Sequence, residues 1–257
     1  MRIAVAGGTG AVGRHVVSAL TQGGHDAVVL ARSTGVDLTT GNGLEAALQG
    51  VSAIIDVSNV ATASATRSRA FFETVTKHLL TAGARADVAH HLALSIVGVD
   101  RVAGGYYAGK LAQERLIRRG TLAWTVLRAT QFHEFAGQIL TRTPGPIAVV
   151  PRMRTQPVAA SEVAAALVEL ATGTPRGLAP EIAGPEALEL AELCRQVLRS
   201  QSSHRRVLDV RLPGKDGRAI RDGALLPTTA GRRGHVTFAQ WLTSPSSNGV
   251  DPDRSLS

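Results

Sequence analysis

An α/β fold built on a doubly wound parallel sheet is what this 257-residue chain predicts, on three observations. β-Branched runs alternate with segments whose apolar residues recur every three or four positions. Short loops join the two kinds of segment, and the first β-branched run passes through a glycine cluster straight into the first helix.

Taken in order, Arg2-Ile-Ala-Val-Ala is the first strand, and Gly7-Gly8-Thr9-Gly10-Ala11-Val12-Gly13 follows it. Val12, Val16 and Leu20 then repeat every four positions, which predicts a helix over about 11–22. Gly23-Gly24 stops that helix, and 26–32 is a second buried strand. Residues 33–42 are short and polar, 43–50 reads as a brief helix with Leu44 and Leu48 inward, and 51–57 is a strand ending at Ser58-Asn59. A long helix over 65–82 places Phe71, Val75 and Leu79 on one face. A strand over 88–97 follows, Gly104-Gly105 breaks the chain before a helix over 106–119, and 124–128 is again a strand. In a parallel sheet a ligand lies beyond the carboxyl ends of the strands, here Gly7 to Gly10, Arg32, Ser58-Asn59, Ser95 and Thr130 to Glu134.

The second half is less regular. Residues 141–157, rich in proline and basic groups, read as a loop with a short strand at 147–150. Ser161 fits a helix cap, with Glu162 in the first turn and Val163, Leu167 and Leu170 as an apolar stripe. A helix over 187–199, a strand over 207–212 and a short helix over 236–242 complete the pattern. Residues 1–244 therefore read as one domain without internal repeats, and the Ser, Pro, Asn and Asp of 245–257 predict a disordered tail.

Composition bounds the function. Hydrophobic residues make up 44% and charged ones 19%, an ordinary globular balance, and the single cysteine, Cys194, fits a reducing compartment. No apolar run reaches the roughly 20 residues of a membrane span, and the first strand leaves no room for a signal peptide. The expectation is a cytoplasmic protein, monomer or homodimer, without a membrane partner. The net charge of +8 is carried almost entirely by arginine, with lysine only at 77, 110 and 215. Its densest stretch, 199–233, includes Asp209, Asp216 and Asp222 and has no aromatic residue for base stacking, so no nucleic-acid partner is expected. His90 and His91 lack a matching cluster and predict no metal, Cys194 sits in an apolar helical pattern, and no G-x-S-x-G elbow is present.

Three constellations carry chemistry. Gly7, Gly10 and Gly13 form a G-x-x-G-x-x-G turn between strand and helix, where glycine admits an anion close to the backbone and the helix start offers unpaired N–H groups. That predicts a dinucleotide phosphate site. At the end of the second strand, where an acidic residue would select NAD(H), stand Arg32, Ser33 and Thr34, which suit a 2′-phosphate. NADP(H) is thus the preferred cofactor and NAD(H) the alternative. Asp37 is a candidate for the adenine amino group or for capping its own loop. The third constellation is Ser95, Tyr106 and Lys110. Tyr106 and Lys110 share a helix face, an ammonium beside a phenol lowers its pKa, and Ser95 could bond a substrate oxygen. Together they predict proton transfer for carbonyl reduction or alcohol oxidation, with Tyr107 as the rival for the inward position.

Gly7-Gly-Thr-Gly-Ala-Val-Gly13, Leu94-Ser-Ile-Val-Gly98, Tyr106-Tyr-Ala-Gly-Lys110 and 124–132 together resemble the atypical short-chain dehydrogenases/reductases. Within them the chain is most similar to the NmrA-like, NAD(P)H-binding branch, over about 1–243, counting Gln156-Pro-Val, the Ser161-Glu-Val-Ala164 helix and Glu181-Ile-Ala-Gly-Pro185. The resemblance implies an NADP-linked Rossmann-type fold with a small C-terminal substrate-binding lobe, built mainly from about 133–160 and 180–243. It implies cofactor contacts from Gly7, Thr9, Gly10, Ala11, Val12, Gly13, Arg32, Asp37, Leu38, Ser58, Asn59 and Lys110. It also places Gln131, Phe132, His133 and Glu134 beside the nicotinamide, with Phe132 covering the ring or lying in the core, and His133 binding a substrate oxygen or opening a helix. Two features depart from the pattern: the glycine turn differs from that of the ordinary short-chain enzymes, and the tyrosine is often missing or idle in this branch.

The expected activity is an NADPH-dependent reductase that passes hydride to a small organic carbonyl, quinone or related unsaturated compound. The alternative is a non-catalytic NADP(H)-binding redox sensor. A sugar-nucleotide epimerase or dehydratase shares the fold but needs a larger substrate lobe.

Overall fold

The computed structural model describes residues 1–244, and the tail expected to be disordered, 245–257, lies outside the described residues. In chain order the first stretch holds β1 (Arg2–Ala6), α1 (Ala11–Gln22), β2 (Asp26–Leu30), α2 (Leu44–Ala47), β3 (Ala53–Asp56), α3 (Ala65–Arg85), β4 (His90–Ile96), α4 (Gly105–Arg119) and β5 (Trp124–Ala129). Next come α5 (Phe135–Arg142), β6 (Ile147–Pro151) and β7 (Arg154–Thr155), then α6 (Ala160–Thr172) and β8 (Gly177–Leu178). The chain ends in β9 (Ile182–Ala183), β10 (Leu188–Glu189), α7 (Leu190–Ser200), β11 (Arg206–Val210), α8 (Gly214–Arg221), β12 (Arg232–Arg233) and α9 (Phe238–Leu242). Contacts divide these elements into two units, one made of 1–129 with 160–181 and the other of 130–159 with 182 onward.

The first unit is a parallel sheet ordered β8-β5-β4-β3-β1-β2. Both faces of its centre are covered: β3 is buried along its whole length, as is β1 from Ile3 to Ala6. Continuous burial of this kind requires a run of apolar residues instead of alternation, which is what Ile3 to Ala6 and Ala53 to Ile55 provide. Helix α1 packs with α6, and α3 packs with α4. Leu30, Leu44, Leu48, Ile54, Val75 and Leu79 form a core cluster under α2 and α3. The inward Leu44, Leu48, Val75 and Leu79 are the residues that helical spacing picks out, while Phe71 is only half-buried.

Chain order fixes where a ligand can sit. β1 lies between β2 and β3, so the connections leaving β1 and β3 run in opposite directions across the sheet and open a crevice beyond their carboxyl ends. Gly7 leaves β1 and Ser58 leaves β3 at that point.

In the second unit, β6 pairs with β11 in parallel, β7 with β10 antiparallel and β9 with β12 in parallel. Helix α5 packs on α7, and α7 on β6 and β11. Helix α9 begins in a reciprocal cap, Thr237 accepting from the Gln240 amide and the Gln240 side chain accepting from the Thr237 amide. One expectation is corrected, and two helices go beyond those the sequence predicts. Ser161 is the second residue of α6, not its cap, because the helix already begins at Ala160. Helix α5 occupies residues left without a helical assignment, and α8 occupies a stretch whose Gly214 and Gly217 masked its period.

Gly109 sets how closely α3 and α4 approach. A Cβ there would lie 2.2 Å from Ser68 Oγ and 2.5 Å from its backbone. Gly109→Ala should therefore lower stability by about 1–3 kcal/mol, the usual cost of overpacking, read as a lower urea midpoint with an unchanged slope.

Candidate functional site

The glycine turn works by backbone contact. Gly7 adopts φ +79°, and a Cβ on it would meet Ser58 Cα and Val57 O at 2.9 Å. A Cβ on Gly13 would lie 2.1 Å from Gly7 O, so the loop closes on the helix only without a side chain there. The Gly10 amide donates to Gly7 O at 2.9 Å, and no side chain caps α1. No acidic residue stands in its first turn. The first N–H groups of α1 and its positive dipole end are thus left for an anion. Ser58 Oγ, buried with no hydrogen-bond partner, stands against this loop. An uncapped helix start, a turn that a Cβ would fill and an orphaned buried hydroxyl together fit the pyrophosphate of a dinucleotide.

At the end of β2 the arrangement is mixed. Arg32 and Ser33 are exposed in a short 3-10 turn, available to a phosphate. Thr34 is not: its hydroxyl donates to the carbonyls of Val29 and Ala31 and accepts from the Ala31 amide. Asp37 Oδ1 accepts from the Thr39 hydroxyl at 2.6 Å and the Thr39 amide at 2.7 Å, bonds that hold its carboxyl below the usual range. Of its two sequence readings, the loop cap is the one for which bonds are present. Leu38 O accepts from His78 Nδ1 at 2.9 Å.

Tyr106 is fixed at three points within the first unit. Its carbonyl accepts from Ser68 Oγ at 2.7 Å, its ring meets Phe72 edge-on at 5.6 Å, and its hydroxyl donates to Asn59 Oδ1 at 2.6 Å. The Tyr107 ring lies edge-on to it at 6.2 Å. Lys110, by contrast, points into the protein. It is buried, its ammonium stands 4.6 Å from the centre of the Phe72 ring, and it donates to Gln113 Oε1. Gln113 in turn donates to Asp56 Oδ2 at 2.8 Å, and Asp56 Oδ1 accepts from the Ser58 amide at 2.9 Å. A polar chain thus runs from Lys110 to the loop beside Gly7. Burial lowers the Lys110 pKa to about 8 against the pull of Asp56 and Glu114.

Two expectations fail on this geometry. Lys110 does not lower the Tyr106 pKa: burial, then Tyr107 and Asp56, push it above the ordinary phenol value, because a phenolate would be poorly solvated and repelled. Ser95 does not point a free hydroxyl at a substrate. Its proton goes to Glu114 Oε1 at 2.6 Å, and Glu114 is clasped by Arg128 through Nε and Nη2, each at 2.9 Å. Arg118 and Asp100 extend this network at 3.2 Å. Gln113 and Glu114 escaped the sequence reading, although their signal was legible: they stand three and four residues after Lys110, on the face Lys110 shares.

The remaining candidates belong to the second unit. Gln131 Oε1 accepts from Thr155 Oγ1 at 2.6 Å, and Phe132 forms a bridge with Val158. His133 has no exposed surface: its ring packs on Phe238 and Trp241 at 5.6 and 5.5 Å, and Nε2 meets Val236 O at 3.1 Å. It is a packed aromatic-cluster residue, which corrects the reading that it binds a substrate oxygen, and it stands two residues before α5, in keeping with the helix-opening alternative. Glu134 has a carboxyl raised by burial. Among the described residues no group of His, Cys, Asp and Glu could hold a metal, and no helix is long and apolar enough to cross a membrane.

Glu114→Ala leaves Arg128 buried without its main partner and should cost about 3–5 kcal/mol in chemical denaturation. Lys110 gives a pH signature. Between its folded value of about 8 and its ordinary 10.5, the unfolded chain binds a proton that the folded chain does not, so stability rises with pH. Above 10 the tyrosines, whose folded values are raised, work in the opposite direction. Denaturant midpoints should therefore climb from pH 8 to 10, and Lys110→Met should flatten the climb.

Comparison with known proteins places the fold and the family. A family model described as NAD(P)H-binding matches residues 7–174. No curated protein sequence matches the chain. Among solved structures, the UDP-glucose 4-epimerase of Thermus thermophilus in complex with NAD is 16% identical with a TM-score of 0.68, over 98% of this chain and 94% of that one. The triphenylmethane reductase of Citrobacter sp. complexed with NADP(H) is 20% identical, with a TM-score of 0.65 over 89% and 93%. An NADPH-dependent quinone oxidoreductase from Escherichia coli is 17% identical, with a TM-score of 0.63 over 93% and 97%. These likenesses are of fold, a Rossmann-type fold, and with a matched model spanning more than half its length this chain belongs to the NAD(P)H-binding family.

Proposed function

We propose that the protein is an NADPH-dependent reductase that passes hydride to a small organic carbonyl, quinone or related unsaturated compound, with Tyr106 as the proton donor. The observation that carries this reading is the Tyr106 phenol itself, kept protonated by burial and fixed by Ser68, Phe72 and Asn59 at the edge where β3 ends. A phenol with a raised pKa is a poor base but still yields its proton to an alkoxide, which is the stronger base. That favours reduction over alcohol oxidation.

The dinucleotide would be held by Gly7, Thr9, Gly10, Ala11, Val12 and Gly13 around the start of α1, by Ser58 Oγ, and by Arg32 at a 2′-phosphate. When bound, the reduced nicotinamide supplies a hydride. The substrate carbon gains that hydride and its electron pair. The oxygen gains the Tyr106 proton, and the phenolate left behind is reprotonated by water. Lys110 supports the site indirectly, through Gln113 and Asp56, by fixing the Ser58 amide beside the glycine turn. The Citrobacter triphenylmethane reductase and the Escherichia coli quinone oxidoreductase support this reading by analogy. A cytoplasmic monomer or homodimer without nucleic-acid partners completes the proposal.

The second reading, a dinucleotide-binding sensor without turnover, is favoured by one observation: Ser95 and Lys110 spend their polar groups inside the protein. Turnover separates the two. Tyr106→Phe should slow NADPH oxidation with an aldehyde or ketone about 100-fold or more while NADPH binding persists. Full turnover of this variant removes the proton role, and tight NADPH binding without oxidation by any quinone or carbonyl supports the sensor. Arg32→Ala should weaken NADPH about tenfold and leave NADH within about twofold by calorimetry. Equal losses for both would cancel the 2′-phosphate role.

A further inference from the structure

Asn59 emerges from the loop after β3, is exposed, and meets Tyr106 at 2.6 Å. The direction of this bond is set by the backbone. Asn59 Oδ1 also lies 2.9 Å from the Val60 amide nitrogen, and a backbone N–H can only donate. The side-chain atom facing Val60 must therefore be the oxygen, and the Tyr106 hydroxyl, meeting that same atom, must donate to it. Its proton points at Asn59, and its oxygen lone pairs face elsewhere.

We propose that Asn59 is the positioning residue for the Tyr106 proton, its amide oxygen being the resting acceptor that an incoming substrate oxygen replaces. This rests on the reductase reading for its use in turnover but not for the bond itself. The Val60 amide keeps Oδ1 from turning away, so the acceptor stays in one place. Because Asn59 is exposed, another oxygen can reach the pair. The proton then leaves Tyr106 only when an acceptor better than a neutral amide arrives, which is what an oxygen gaining hydride at its carbon becomes. Other groups acting on the phenol are Asp56, at the end of β3, and Tyr107 on α4, whereas α3 presents the uncharged Ser68 and Phe72. Neither Asp56 nor Tyr107 shares an acceptor bond with the hydroxyl.

The test uses the full chain with meta-fluorotyrosine incorporated and Tyr107→Phe as background, since the sequence holds only two tyrosines. Fluorine NMR then follows the ionisation of Tyr106 alone. A hydrogen bond to the neutral phenol opposes ionisation, so Asn59→Ala should lower the midpoint by about one pH unit, and Asn59→Asp, a charged acceptor of the same shape, should raise it by as much. No movement in either variant overturns the proposal. In turnover with NADPH and benzaldehyde, Asn59→Asp should lower kcat about tenfold with KM for the aldehyde within about twofold. The Asn59→Asp effect on kcat should vanish in a Tyr106→Phe background. An effect that persists there also overturns the proposal. If Tyr106→Phe alone retains full turnover, the reductase proton role fails, while the titration still decides whether Asn59 holds the proton.

Discussion

The contact on which the rest of the structure depends is backbone against backbone: the loop leaving β1 lies on the loop leaving β3 with no room for a Cβ at Gly7 and none at Gly13. Sheet order brings the two loops together, because β1 and β3 are neighbours whose connections diverge. Glycine then lets α1 begin close enough that its uncapped amides look onto the same crevice as Ser58 Oγ. A side chain at either glycine would push the helix start away and close the space that a pyrophosphate would use. The family to which the chain belongs is thus expressed first as a steric requirement and only then as a charge preference.

Helix α4 carries two different polar systems. One runs from Lys110 through Gln113 to Asp56 and supports the loop beside the glycine turn. The other joins Ser95, Glu114 and Arg128 across β4 and β5. Both are buried, where a lost partner costs far more than a surface ion pair contributes. Tyr106, at the start of α4, keeps its polar end at an exposed neighbour, Asn59. A Tyr-x-x-x-Lys spacing therefore yields one group at the crevice and one inside the protein, not a pair acting on one oxygen.

The first unit was largely legible in the sequence because its strands are continuous apolar runs and its helices keep their period: α1 spans 11–22 as its Val12, Val16 and Leu20 repeat requires. Glycine spacing likewise located the cofactor turn. The second unit was less so, since strands of two residues such as β7 and β10 carry no periodicity, and α8 has glycines within it. At the site, residue type identified Tyr106, Lys110 and Ser95, but nothing in their spacing said that Glu114 would take the Ser95 proton or that Phe72 would draw the ammonium inward. The first outcome depends on α4 meeting β4 and the second on α3 meeting α4 at Gly109, both tertiary contacts. His133 misled for the opposite reason: a histidine after a strand end suggests a ligand contact, whereas Phe238 and Trp241, far later in the chain, enclose it.

Hydride transfer is tested most directly by a single-turnover experiment on the full chain with NADPH carrying deuterium or protium at its transferable hydrogen. With benzaldehyde as acceptor, the reduced-nicotinamide absorbance should decay on mixing and deuterium should slow the decay. Saturated NADPH whose absorbance stays constant with every carbonyl and quinone offered would contradict hydride transfer.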